Sequence, residues 1–231
     1  MRIAVMQPYF FPYIGYFQLI AAVDKFVFYD DVNYINRGWI NRNNILINGK
    51  ATLITLPLKK ASQNKKINDI EIAMGSTEEK LLKTISMSYK KAPYFENAFE
   101  LIQRIFEKPS TTIADFNLNQ IKIISKYLNI ETELVPSSSV YDNRHLNGPE
   151  RIIDICCKEN ADWYVNPIGG FDLYDRDSFN TRGIRLSFIK PTLVQYNQFN
   201  IPFVPWLSII DILMFNGTKN IKQMLKQYQF V

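Results

Sequence analysis

The chain is poor in the residues from which most metal and nucleophile sites are built. It has one histidine, His145, and two cysteines, Cys156 and Cys157, side by side. A single histidine excludes a His-rich metal centre and leaves a Cys–His zinc site short of ligands. No Gly-x-Ser-x-Gly elbow occurs, so a Ser–His–Asp triad lacks its turn. Adjacent cysteines point to different sides of a helix and bridge only under strain. With no disulfide framework the composition suits a reducing compartment, and a cytoplasmic location is expected. No apolar run reaches the roughly 18 residues of a membrane span. The longest, Ile201 to Phe215, is broken by Asp211 and reads as a buried helix. At the N-terminus Gln7-Pro8 interrupts the apolar residues after Met6, so no signal-peptide core is expected. Runs of five like charges are also absent. The net charge is +5, with lysines paired at Lys59-Lys60, Lys65-Lys66 and Lys90-Lys91. Such a surface favours an anionic small molecule and lacks the dense basic stripe of a nucleic-acid binder.

What is present is a core and many rings. The chain has 231 residues, enough to bury a core without staples, and carries 16 Phe, 13 Tyr and 3 Trp. Most of these rings are expected in the core; Tyr and Trp also suit a pocket wall, because each joins an apolar body to a polar tip. Residues 3–6 read as a buried strand, 7–12 as a proline-held loop, 13–22 as a helix and 25–29 as a second strand. A β-loop-α-β start requires a crossover and gives two parallel strands. Asn48-Gly49 between the apolar runs 45–47 and 52–56 predicts a hairpin. A further strand is expected over 67–73. Helices follow over 77–89, where Ser76 and Glu79 have capping-box spacing, from Pro93 onward, and over 112–127. Strands are expected over 132–135, 162–166 and 183–189, and helices over 149–158, 207–215 and 218–228, the last two separated by Gly217. The loop from Pro136 to Gly148 reads as a hinge or a plain connection. The expected architecture is one α/β domain over 1–231: a parallel-sheet core, an inserted β-hairpin, a mainly helical segment at 76–128 and a helical C-terminal part. The apolar helix from Pro205 offers a face for a homodimer.

Four segments concentrate chemistry. Gln7 to Tyr16 links the first strand to the first helix, where α/β sheets bind ligands against free helix N–H groups. Gln7, Tyr9, Tyr13, Gly15 and Tyr16 are its candidate binding residues; the alternative is a rigid connection with aromatic packing. Asp30 and Asp31, with Asn33 close behind, follow the second strand. Paired carboxylates serve as base, as metal ligand or as a clamp on a sugar hydroxyl or amine, unless they only cap a turn. In Asn36 to Asn44, Arg37 and Arg42 have the fork that holds a diphosphate. Trp39 offers a stacking face, and Asn41 and Asn43 offer paired donors and acceptors. Merely capping the hairpin is the plainer role. Asn166, Gly169 and Gly170 follow a later strand and form either a third wall or a tight turn. His145 is an exposed loop histidine or a general base. No metal ligands and no cofactor are assigned.

The run QPYFFPYIGYFQLIAAVDKFVFYDDVNYINRGWINRNNI closely resembles the N-terminal signature of the WbqC-like family. RIIDICCKENADWYVNPIGG and SIIDILMFNG resemble its later segments. The family occurs in bacterial gene clusters for O-antigen, lipopolysaccharide and other surface polysaccharides, so the resemblance implies a sugar-modifying transferase. Strand, proline loop and Tyr13-Ile14-Gly15-Tyr16 are also similar to the HxGH region of the nucleotidylyltransferase-like (HUP) fold, with tyrosine at both histidine positions. Tyrosine hydrogen-bonds an anion but carries no positive charge, and likeness of fold does not give function. Three readings stand side by side. One is a transferase acting on a nucleotide-activated sugar, placing an acyl or aminoacyl group on an amino sugar with Asp30 or Asp31 as base. Another is nucleotidylyl transfer or ATP-dependent ligation. The last is a non-catalytic module that binds a nucleotide-linked sugar or another phosphorylated small molecule.

Overall fold

A computed structural model describes residues 1–73 and 75–231. In chain order the elements are β1 (Arg2–Met6), α1 (Ile14–Ala21), β2 (Lys25–Phe28), β3 (Arg42–Ile47), β4 (Lys50–Thr55), α2 (Ser76–Tyr89), α3 (Phe95–Glu107), α4 (Ile113–Tyr127), β5 (Glu133–Val135), α5 (Gly148–Lys158), β6 (Trp163–Pro167), α6 (Arg176–Asn180), β7 (Arg185–Pro191), α7 (Ile209–Phe215), α8 (Thr218–Met224) and β8 (Tyr228–Phe230). Six strands form one sheet in the order β5-β2-β1-β6-β7-β8, and β3 and β4 pair as a separate antiparallel hairpin. All pairs in the large sheet are parallel except β7 with β8. This is the α/β, parallel-sheet architecture with an inserted hairpin that the sequence predicts.

The strand order reverses between β1 and β6, which makes that gap the topological switch point of the sheet. Both faces of the sheet are covered, which is why β1 is an unbroken apolar run rather than an alternating one. Ile3, Val5 and Val27 face a layer built with Ile152 and Ile155 of α5 and Phe179 of α6. Ala4, Phe26 and Phe28 face the other layer, which holds α1, the helices of the insert, α7 and α8. Among the described residues no helix is long and apolar enough to cross a membrane.

Four expectations need correction or comment. Residues 67–73 form a short 3-10 turn over Ile67–Asp69 and isolated bridges (Leu58 with Ile72, Glu71 with Thr112) in place of a strand. The last helix stops at Met224, and Tyr228–Phe230 adds an antiparallel edge strand to β7. There Phe230 meets Trp163 at a ring separation of 5.3 Å, a packing reward the helical pattern did not anticipate. The capping box expected at Ser76 lies outside the described residues as far as that side chain goes; Gly75 occupies the cap position of α2. All seven residues of α7 are buried within this chain, so the apolar helix read as a dimer face packs into the chain's own core.

The hairpin is fixed to the C-terminal part through a buried phenol. Tyr89 Oη accepts a hydrogen bond from the Leu46 amide at 2.8 Å and donates to Asp211 Oδ1 at 2.8 Å. Tyr196 and Gln198 donate to Asp211 Oδ2 at 2.6 and 2.7 Å. Burial raises the Asp211 pKa, and these three donors oppose the rise. Tyr89→Phe leaves the Leu46 amide without its acceptor, so it should cost about 1–3 kcal/mol. Urea denaturation should show a lower midpoint at unchanged slope.

Candidate functional site

The loop after β1 is held in one shape by side chains distant in sequence. Asn117 of α4 donates to the carbonyls of Pro8 (3.0 Å) and Ile40 (2.7 Å). Gln120, one turn on, donates to Tyr9 O at 2.7 Å and accepts from the Phe11 amide at 2.9 Å. Asn43 donates to Phe10 O and Phe11 O, and Ser208 Oγ donates to Phe11 O. The Ile209 amide closes the set on Pro12 O at 2.9 Å. Phe11 sits at φ 39°, a left-handed conformation costly for a large side chain, and this network sustains it.

Above that loop lies a cleft of about 460 Å³. Tyr9, Tyr13, Trp39 and Trp206 supply its rings, Asn43 and Ile168 contribute smaller surfaces, and among the described residues Lys190 is its one charged side chain. These residues come from the C-terminal ends of β1, β6 and β7, together with the segments carrying Trp39 and Trp206, so the cleft occupies the switch point. Trp39 and Trp206 are 44% and 53% exposed, so their faces are open to a ligand. Trp39 is set by its carbonyl, which accepts from the Phe10 amide at 2.9 Å. Trp206 meets Tyr13 edge-on at 6.1 Å and has φ 60°. Lys190 pairs with Gln229 through its backbone in the sheet, and its ammonium makes no hydrogen bond or ion pair among the described residues. Burial raises the pKa of Tyr9, with Tyr13 adding to it, and burial alone raises that of Tyr13. Both phenols are therefore neutral donors at ordinary pH.

The other predicted residues divide sharply. Gly15 lies under the Tyr13 ring, where a Cβ would come within 2.3 Å of Tyr13 Cε2. Tyr16 is buried and donates to Gln7 O at 2.9 Å; burial raises its pKa well above the usual phenol value. Asn41 accepts from Tyr34 Oη and donates to Leu56 O, so it joins the hairpin to the preceding loop. Arg42 turns back on the carbonyls of Gly38 and Arg37, while Arg37 itself is exposed at φ 60°. Asn166 is buried, accepts from Tyr164 Oη at 3.2 Å and lies against Gly170; a Cβ there would come 2.0 Å from Asn166 Nδ2. Gly169 is exposed with open space around it.

The carboxylates stand apart from the cleft. Asp31 is fully buried. Arg151, also buried, places Nη2 at 2.7 Å from both Asp31 oxygens, Arg144 Nε donates at 2.9 Å, and Ser138 Oγ adds a further bond. Burial pushes the Asp31 pKa up, but the hydrogen bonds from Ser138, Arg144 and Arg151 outweigh it, and the net shift is down. Asp30 moves the other way, because burial outweighs the bonds from Ser137 Oγ and the Ser138 amide. The 136–148 loop is thus tied to β2 by both aspartates. Asn33 is exposed and accepts from Lys66 Nζ at 2.8 Å. His145 is exposed on that same loop and does not line the cleft. No three His, Cys, Asp or Glu side chains among the described residues converge as a metal site.

Sequence reasoning missed Trp206 and Lys190. Trp206 falls inside the apolar run 201–215, although Pro205 before it argues for a bend there. Lys190 sits at the C-terminal end of a parallel strand, the position where strand-end rules look for ligand contacts.

A model of the WbqC-like protein family matches residues 7–223. An uncharacterised protein of Mycobacterium tuberculosis, Rv1507c, is 29% identical over 222 residues, covering 94% of this chain and 95% of that protein. No solved structure matches the chain.

Removing one partner of a buried ion pair strands the other, at a cost of about 3–5 kcal/mol. Asp31→Asn should destabilise by that order; the half-exposed Arg144 adds little to it. The folded Asp31 pKa lies below the unfolded one, so its stabilisation is complete above about pH 4 and fades as pH falls through the folded value. Melting temperatures of wild type and Asp31→Asn should therefore differ most at neutral pH and converge in acid.

Proposed function

This chain belongs to the WbqC-like protein family, and from that premise we propose that it binds a nucleotide-activated sugar in the switch-point cleft and transfers a group onto it. The observation that carries this reading is the cleft lining itself. Two half-exposed indoles and two phenols surround the space, with a single ammonium at one side. Indole faces suit the apolar face of a sugar ring or a planar base, and the phenols supply neutral donors for hydroxyl or carbonyl oxygens. Lys190 supplies the point charge for a phosphoryl or carboxyl oxygen. An acyl or aminoacyl group placed on an amino sugar is the transfer this reading favours, in the setting of O-antigen and lipopolysaccharide synthesis.

Asp30 and Asp31 serve this function by shaping the strand end, not by removing a proton in the cleft. Their oxygens are engaged by Ser137, Ser138, Arg144 and Arg151. That placement favours a second reading, a sugar-nucleotide-binding module without turnover, because no carboxylate lines the cleft. Nucleotidylyl transfer and ATP-dependent ligation gain less support. Tyr13 and Tyr16 stand at the HxGH positions as neutral phenols, and Tyr16 is engaged by Gln7 O.

A thermal-shift screen against nucleoside-diphosphate sugars tests the binding. A ligand at a hundred times its Kd adds about 2.7 kcal/mol of stability. Trp206→Ala and Lys190→Met should each remain folded, the exposed Lys190 change costing under about 1 kcal/mol, and each should lose most of the ligand shift. No shift from any sugar nucleotide, or an unchanged shift in both variants, would overturn the assignment. With binding established, absence of turnover across acyl and aminoacyl donors would select the module over the transferase.

A further inference from the structure

A second hollow, of about 270 Å³, lies at the C-terminal end of β2 and shares no lining residue with the cleft. Tyr29, Asn33, Lys66, Arg144, Gly148 and Arg151 are among the residues around it. We infer that this hollow is an anion site for a phosphoryl group, separate from the sugar cleft.

The first support is charge. Among the described residues Asp31 is the one carboxylate lining the hollow, against Lys66, Arg144 and Arg151. The lysine loop continues into a neighbouring depression lined by Lys59, Lys60 and Lys65 with Asp69 and Glu71. Taken together, six cations face three carboxylates. The second support is unused donor capacity. Arg151 is more than nine-tenths buried; it donates through Nε to Asn143 and through Nη2 to Asp31. Its Nη1 takes part in neither of these bonds; the Tyr29 ring lies beside the guanidinium at 4.9 Å, and the guanidinium charge favours the Tyr29 phenolate. Arg144 engages Asp31 through Nε alone, which leaves both Nη groups free for the two-oxygen contact that guanidinium makes with phosphate. Lys66 is steered by Asn33 and keeps two ammonium protons.

The third support is the entry of α5. Asn147 makes no side-chain cap and Gly148 opens the helix beside the hollow, so the Gly148 amide is a first-turn N–H without an intrahelical acceptor, while Pro149 after it has no N–H to offer. Glu150 in that turn is exposed and weakens the field without occupying the site. Asp31 acts as the fixed internal counter-ion. It holds two guanidinium groups side by side that would otherwise repel, so the anion meets a preformed pair. The inference does not depend on the sugar reading of the cleft.

Calorimetric titration with inorganic pyrophosphate at constant ionic strength tests it. Wild type should bind with a Kd near or below roughly 1 mM. Arg144→Gln should weaken binding about tenfold and Lys66→Gln several-fold. The Ser138 and Arg151 bonds to Asp31 remain in Arg144→Gln, so its melting curve should stay close to wild type. Lys190→Met, in the cleft, should bind pyrophosphate as wild type does. Failure of wild type to bind at roughly ten-millimolar pyrophosphate would overturn the site. So would unchanged affinity in both Arg144→Gln and Lys66→Gln, or a loss confined to Lys190→Met. None of these outcomes depends on whether a sugar nucleotide shifts the melting temperature.

Discussion

The hydrogen bonds from Asn43, Asn117, Gln120 and Ser208 to residues 8–12 are the constraint on which the rest depends. A loop buried between a sheet and helices has nowhere to find water, and each unpaired carbonyl would cost about 1–3 kcal/mol. Here the carbonyls of Pro8, Tyr9, Phe10, Phe11 and Pro12 all have protein donors. The donors come from the hairpin, the helical insert and the start of α7. The loop therefore takes its shape only when all three have docked onto the sheet. The cleft floor is a product of the whole fold, and its local sequence alone does not specify it.

A second division of labour follows from where charge is buried. Asp31 and Arg151 sit together with almost no exposure, and Asn143 and Ser138 satisfy further positions around them. A buried ion pair is a weak source of net stability, because desolvation offsets most of the attraction. Its value lies in selecting one arrangement. It locks the 136–148 loop and α5 to the end of β2 while keeping a carboxylate's charge away from the aromatic cleft. Lys190 therefore meets no carboxylate among the described residues that line the cleft, and its charge is not neutralised there.

The parallel strands, the hairpin and the helices of the insert are legible in the sequence because each is set by local periodicity, by a turn or by a cap. Thr112 caps α4 with the full reciprocal bond to Asp115, and Asn48-Gly49 makes the hairpin turn. The strand-end rule also points to the loop that lines the cleft. Direction is what local reading cannot supply. Asn41, Arg42 and Asn43 look alike as polar groups in a loop, yet the first two mainly serve the backbone around them and Asn43 both stitches the loop and reaches the cleft. Trp206 and Lys190 enter from far along the chain, where only tertiary structure brings them beside Tyr9. Residues 228–230 extend a helical pattern but join the sheet, because Phe230 finds Trp163 at the open edge of β7.

Strain marks the cleft on two sides. Phe11 and Trp206 both hold positive φ, at 39° and 60°, although neither is glycine. Such backbone persists only where surrounding bonds over-determine it. At Phe11 the bonds to Gln120, Asn43 and Ser208 do so. Trp206 is held two residues away, where the Ser208 amide donates to Asn44 O and its hydroxyl to Phe11 O. One serine thus contributes to both strained positions and links the segment that carries Trp206 to the loop that carries Tyr9 and Tyr13. A wall positioned in this way loses little conformational freedom when a ligand arrives, so more of the contact energy remains as affinity. The orientation of the Trp206 ring is thus set during folding, by bonds that belong to the loop on the opposite wall.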